Sequence, residues 1–440
     1  MTDTITEPTE ETVFLDLHKK FMEDNKSSSA PIQEKALSRF ETLGFPHSKH
    51  EMYTYVNTKK LAATVFSVSS SSAGISESFI AGHIYAGCEK SCMVFVNGVF
   101  DAALSSLQAI EATVKISSLE KTEDKDFVLA SLENENDVFA CLANAFCTDI
   151  TVVEIADKTQ VPVPIQVLFV STDGSSLPVM HSSRLLWKVG KLAEVKVIEK
   201  FVGVQENQKG QKGYFANSVQ DWSIAEGAGV VLTQVQSDPF DAWNFNKTRV
   251  YIKRNARFHS ANASSGSVLV RNHFDLRLEE EGAELILNGV SVLGGKEQVH
   301  NFVRIHHEAP QCISRQHFKN VINDEGRSSF DGTVIVCQGA QLTSADQLIN
   351  NLMLSDDCHA DNKPNLMIFA DDVKCTHGAT IGQIDEEQMF YLQTRGLSKK
   401  FAKELLTRGF AESIIQTIQF PEVVKELSNT LLKKLETSNV

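Results

Sequence analysis

Between residues 150 and 380 the chain gives up helical spacing for alternation with a period of two, and this constrains the fold more than any other feature. Short β-branched runs follow one another there: ITVVEI, PIQVLFV, EVKVIEKF, GVVLTQVQ, SVLV, LILNGVSVL, FVRIHH and TVIVC, with almost no helical pattern between them. So many short strands fit a sandwich, a barrel or a solenoid. A weak repeat favours the last. Gly-Ala recurs at 227, 282, 339 and 378. Those positions are spaced as three, three and two units of about 19 residues, the length of one coil in a wide β-solenoid. The expected fold is therefore mainly β, a solenoid core over 151–382, with glycine at equivalent corners of different coils.

Helical patterns flank this region. In the first 150 residues, VFLDLHKKFM places Phe14, Leu17, Phe21 and Met22 on one face, and a second helix is expected from Pro31 to Leu43, closed by Gly44 and Pro46. SVSSSSAGIS reads as a loop, MVFVNGVF at 93–100 as β-like, and residues 134–147 as a further helix. After 382 the helical period returns. Asp385 opens a helix that stops at Gly396, and Ser398 opens another ending at Gly409. A third follows Pro421, with Val423, Val424, Leu427, Leu431, Leu432 and Leu435 in one stripe, so 383–440 reads as a helical unit.

Composition excludes several functions. A net charge of −14 argues against nucleic-acid binding, which needs a clustered basic face. No apolar run approaches a membrane span. The N-terminal stretch MTDTITEPTEET is acidic, and the first arginine is Arg39, which fits neither a secretory signal nor a transit peptide. Eight cysteines without a C-x-x-C point to free thiols in a reducing compartment, so the expected location is cytoplasmic. No P-loop, G-x-S-x-G, H-E-x-x-H or G-x-G-x-x-G is present; GVSVLGGKEQ lacks the glycine spacing and the hydroxyl after Lys296. The chain is expected to bind no nucleotide of its own.

The pair Cys375 and His377, in DDVKCTHGATIG, carries the one suggestion of chemistry. Two residues apart on a strand, they point to one face, with backbones about 6–7 Å apart. A thiolate and an imidazole so placed can share an iron or zinc ion, or act as nucleophile and base, or simply be a core cysteine beside a histidine. His306-His307 and Cys358-His359 are adjacent and face opposite sides, His317 reads as a surface strand residue, and Cys337 reads as core.

The C-terminal third is more specific than its chemistry. GAQ at 339–341, NLMLS at 351–355, KPNL at 363–366 and ADDVKCTHGATIG at 370–382, with the continuation DEEQMFYLQTRGLSKKFAKELLTRGFAESII, resemble the SufB/SufD family of the SUF iron–sulfur cluster assembly machinery, nearer its SufD branch. GFPHSKHEMYTYV at 44–56 is similar to the family's G-x-P-x-x-K-x-E-x-W-[KR]-Y-T segment, with Tyr53, Thr54 and Val56 departing from it. The resemblance implies a right-handed parallel β-helix between helical domains and no catalysis within this chain. It implies a scaffold subunit of a SufB–SufC2–SufD complex, assisting cluster assembly and iron acquisition. In that complex a SufB-like protein pairs through the β-helix and a SufC-like ATPase binds the C-terminal helices, with a homodimer open to the isolated chain. It implies a transient cluster shared with the SufB-like partner, with His377 as a ligand and Cys375 beside it in a less defined role. The alternative from another class is a β-solenoid carbohydrate-active enzyme, a polysaccharide lyase. Its acidic requirement would fall on Asp371 and Asp372, which face opposite sides of a strand, and three tryptophans offer little for sugar stacking.

Overall fold

The computed structural model describes residues 10–437 apart from 25–28, 47–49, 69–74, 120, 175, 205–211 and 240. The acidic start, His47 to Lys49 of the 44–56 segment and most of the serine-rich patch thus lie outside the described residues.

From Ile165 onward the chain climbs between two sheets, laying one strand in each per coil. All successive pairs within a sheet are parallel and in register; Trp243–Ile252, for example, pairs residue by residue with Leu269–Leu278. Strands of the second sheet start at 229, 257, 284, 313, 344 and 374. One coil therefore takes roughly 30 residues, and the shorter unit expected from the Gly-Ala spacing is wrong. Each coil needs two strands, typically ten residues long, and two corners. The Gly-Ala sites at 227, 282 and 339 are thus two coils apart.

The corner chemistry explains the difference. Two residues before a second-sheet strand the backbone turns left-handed, at Leu192, Gly227, Asn255, Gly282, Gln311 and Leu342. Glycine adopts that conformation without a Cβ penalty, and Gly227 and Gly282 do so at φ 67° and 74°. Four of these six corners carry other residues, so Gly-Ala marks only alternate coils. Gly339 lies in an equivalent corner but ahead of its left-handed Leu342, and Gly378 lies within a strand.

Inward-facing side chains fill the space between the sheets with aliphatic and aromatic stacks. Trp187 and Trp222, on adjacent coils, stack with centroids 4.3 Å apart, and Phe169 and Phe201 do so at 4.6 Å. Along one side the interior is polar, where Asn272 donates to Asn301 at 3.0 Å and Asn246 to Asn244 at 2.6 Å.

The N-terminal region closes one end of the solenoid. Cys92–Val96 extends the second sheet and folds back antiparallel onto Val99–Phe100, while Val114–Ser118 pairs antiparallel with Thr151–Ile155 at the end of the first. Helices Glu10–Asp24 and Ala30–Leu43 pack with Val138–Ala145 over the outer face of the first sheet, joining Phe14, Phe40 and Phe139 to Phe215 and Phe245. The helix expected over 134–147 is confined to Val138–Ala145, because Asp137 caps it, and Thr122–Glu133 forms a helix that periodicity does not reveal. Buried charges lock this layer to the sheet. Asp137 accepts from Tyr53 Oη and from Arg271 at 2.8 Å, and Glu135 pairs with Lys247 at 2.5 Å and Arg249 at 3.2 Å.

Three helices end the described chain: Glu386–Thr394, Lys399–Ile415 and Pro421–Thr437. The second passes straight through Gly409, where the sequence predicts a stop. Ala411, Ile414 and Ile415 just beyond it bury against Val290, Val292 and Val321, and that packing outweighs about 1 kcal/mol of glycine penalty. The stripe of the last helix also faces the solenoid, through Val423 on Ile198 and Val235 and through Leu431 on Val290.

Candidate functional site

At the other end of the solenoid no such closing layer is found among the described residues. His359–Ile368 and Lys374–Gly382 are the terminal strands of the two sheets, and among the described residues no strand pairs with their outer edges. An unpaired edge on both sheets at one end is a template for another chain. Phe369 is 60% exposed and Ile381 55%, with Leu342, Met367 and Ile368 exposed around the same end.

Cys375 and His377 lie on this last strand, opposite Ala345 and Gln347 in the register. Ala345 is buried in the core and Cys375 packs on that core, so the face shared by 375 and 377 is the inward one. His377 is exposed because no further coil covers it. Burial pushes the Cys375 thiol above its usual range, with a backbone hydrogen bond at Ala345 pulling the other way. A neutral thiol is a poor nucleophile, which counts against the nucleophile–base reading. Among the described residues no group of three or more His, Cys, Asp or Glu side chains is placed to hold a metal ion. The pair offers at most part of a ligand set.

The remaining candidates are dispersed. His307 is buried and bonded to Ser314 at 2.9 Å, whereas His306 faces outward toward Asp275. Cys358 is buried with its thiol directed at carbonyls of Ser355 and Ile322, while His359 is exposed. His317 is tied to Asn350 at 2.9 Å, and Cys337 is half-buried at a corner. All eight cysteines are free thiols. Asp371 and Asp372 are exposed in the corner before the last strand.

A second exposed feature is invisible to periodicity. Helix Glu386–Thr394 buries no residue, and Phe390 is 68% exposed, with Tyr391 on the same helix and Phe401 and Leu405 on the next also exposed. No described helix is long and apolar enough to cross a membrane.

Residues 169–410 match the family described as SUF system FeS cluster assembly, SufBD core domain, and residues 9–167 match the SufBD protein N-terminal region. Among curated relatives, an iron–sulfur cluster assembly SufBD family protein of Synechocystis sp. is 29% identical over 86% of this chain and 84% of its own length. The iron–sulfur cluster assembly protein SufD of Escherichia coli is 25% identical over 89% of each chain. A SufBD family protein of Mycobacterium leprae is 25% identical over 63% of this chain and 70% of its own.

Proposed function

Because the chain belongs to the SufBD family of the SUF iron–sulfur cluster assembly system, we propose that it serves that system as a non-catalytic scaffold subunit whose open solenoid end receives a SufB-like partner. The observation that carries the reading is the coincidence, at one end, of two unpaired strand edges, exposed apolar side chains and His377. A partner adding strands there satisfies the edge backbone and covers Phe369 and Ile381. The same event brings partner side chains to the imidazole. A lone chain with a half-set of ligands cannot hold a cluster, but a site completed across an interface can. The cluster is cargo, held transiently with His377 as a nitrogen ligand and Cys375 as a neighbour whose thiol is mainly structural. Iron acquisition by the complex would use the same end.

The exposed Phe390, Tyr391, Phe401 and Leu405 suit a SufC-like ATPase, which supplies the nucleotide chemistry for which this chain has no motif. The stripe of the last helix is spent on the solenoid, so the partner surface is assigned to the two preceding helices. Without a SufB-like chain, the open end would accept a second copy. Free, largely buried thiols suit a reducing cytoplasm.

Co-expression with SufB-like and SufC-like proteins from one SUF system tests the assignment. A stoichiometric complex is expected, and Phe369→Asp with Ile381→Asp should release the SufB-like subunit from it. Binding of that subunit by the folded double variant would overturn the open-end assignment.

A further inference from the structure

Beneath His377, one coil inward, stands its register partner Gln347, and beneath that Gln316. Gln347 is buried between Ala345 and Ile349, both in the solenoid core, so its side chain shares the inward face with Cys375 and His377. Its amide is only half used. Nε2 reaches Gln316 Oε1 at 3.4 Å, while Oε1 has no hydrogen-bond partner among the described residues. Across the interior lies Gly332, where a Cβ would collide with Gln347 Nε2 and the Phe330 ring. The missing side chain there gives the amide its room. A buried, unpaired amide oxygen is costly, and neighbouring parallel strands lie about 4.8 Å apart, within reach of stacked side chains.

We propose that Gln347 is a positioning residue for His377. Its amide oxygen accepts a hydrogen bond from one imidazole N–H, which fixes the tautomer and ring plane and directs the lone pair of the other nitrogen out of the open end. An imidazole carries one donor and one acceptor when neutral, and the partner of the first decides which nitrogen is left to bind. Glutamine suits this task because it accepts without adding charge beside an anionic cargo. The purpose of the contact rests on the ligand role proposed above; the contact itself requires a rotamer change that brings the imidazole onto the unpaired Gln347 Oε1, and it can be tested in the isolated chain.

The test uses the full chain labelled with 15N-histidine and two-bond 1H–15N correlations, with His377 assigned by the signal that disappears in His377→Ala. The ratio of the two tautomers is expected to differ from that of a free histidine side chain by about fivefold, the weight of one net hydrogen bond. Gln347→Leu and the length-matched Gln347→Met should return the ratio to that of free imidazole. Gln347→Glu, which restores an acceptor, should keep the shifted ratio. A free-imidazole ratio in the unaltered chain overturns the proposal without any variant, and so does an unchanged ratio in a folded Leu or Met variant. If Gln347 governs the tautomer while His377→Ala complexes keep full cluster content, the ligand role falls and the positioning contact stands. Loss of cluster in His377→Ala with no tautomer effect of Gln347 overturns the positioning contact and leaves the ligand role standing.

Discussion

Lowering the pH from 7 to 5.5 is expected to cost the fold about 3 kcal/mol, and the figure follows from five buried groups. His181, His273, His300 and His307 are all buried, and each is pushed below its usual range by burial, to about 3, 4, 3 and 4 respectively. His273 stays low despite its bond to Asp137, because burial outweighs that bond and the Lys247 and Arg271 charges lie close. A histidine whose folded value is below its unfolded value of about 6.5 leaves stability intact above that pH. As pH falls, the unfolded chain takes up the proton first, and stability drains until the folded value is reached. Glu199 works in the opposite sense. Burial pushes it up to about 7, although Gln220 and Gln234 donate to its Oε2 at 3.0 and 2.9 Å. It takes up its proton in the folded state first, and so stabilises the fold as pH falls. Between pH 7 and 5.5 each histidine removes about 1.2 kcal/mol and Glu199 returns about 1.6, which leaves a net loss of about 3. Asp173, pushed up to about 6 by burial and by Asp241, and Asp238, also raised by burial, pull the same way as Glu199, while His18 and His306, lowered by burial, pull with the other histidines. These smaller shifts oppose one another. Urea unfolding at the two pH values, followed through the emission of the stacked Trp187 and Trp222, reads the difference. Glu199→Gln removes the opposing group and should deepen the loss to about 5 kcal/mol. Equal stability at both pH values, or no deeper loss in Glu199→Gln, would mean that these buried groups do not set the pH dependence.

Three further outcomes are expected. Asp137→Ala strands the buried Arg271 charge and removes a helix cap, and should cost about 3–5 kcal/mol in urea unfolding. Phe390→Asp with Phe401→Asp should change stability by less than about 0.5 kcal/mol yet abolish capture of the SufC-like ATPase in a pull-down. Iodoacetamide at pH 7 should label Cys375 in the folded chain more slowly than in the urea-unfolded chain, since burial keeps its thiol protonated; equal rates on mass analysis would count against that environment.

How legible the fold is in the sequence varies along the solenoid for a physical reason. In the late strands one face meets the core and the other meets solvent or a helix, and Glu284–Leu293 begins with clean alternation of half-buried and buried residues. In Tyr214–Ile224 nearly every residue is buried, because the N-terminal helices cover the outer face, and the period of two fades from burial. The coil length escapes the sequence because Leu192, Asn255, Gln311 and Leu342 hold corner conformations that a search for glycine cannot see. Helix Lys399–Ile415 runs past Gly409 because burial against the sheet overrides local propensity. At the candidate site the C-x-H spacing is visible as a short local pattern. The open end and Gln347 are not, since both depend on the register of strands a full coil apart in the chain, such as Gln347 on His377.

Iron and sulfide content of the purified complex, compared between the unaltered chain and His377→Ala, decides whether His377 is a cluster ligand. His377 is exposed at the chain's open end, so its removal should leave the fold and the stoichiometry of the complex unchanged. The His377→Ala complex is expected to assemble normally but carry markedly less iron and sulfide, while Cys375→Ser loses less. Wild-type iron and sulfide on the His377→Ala complex, with normal transfer to an acceptor protein, would contradict the ligand role.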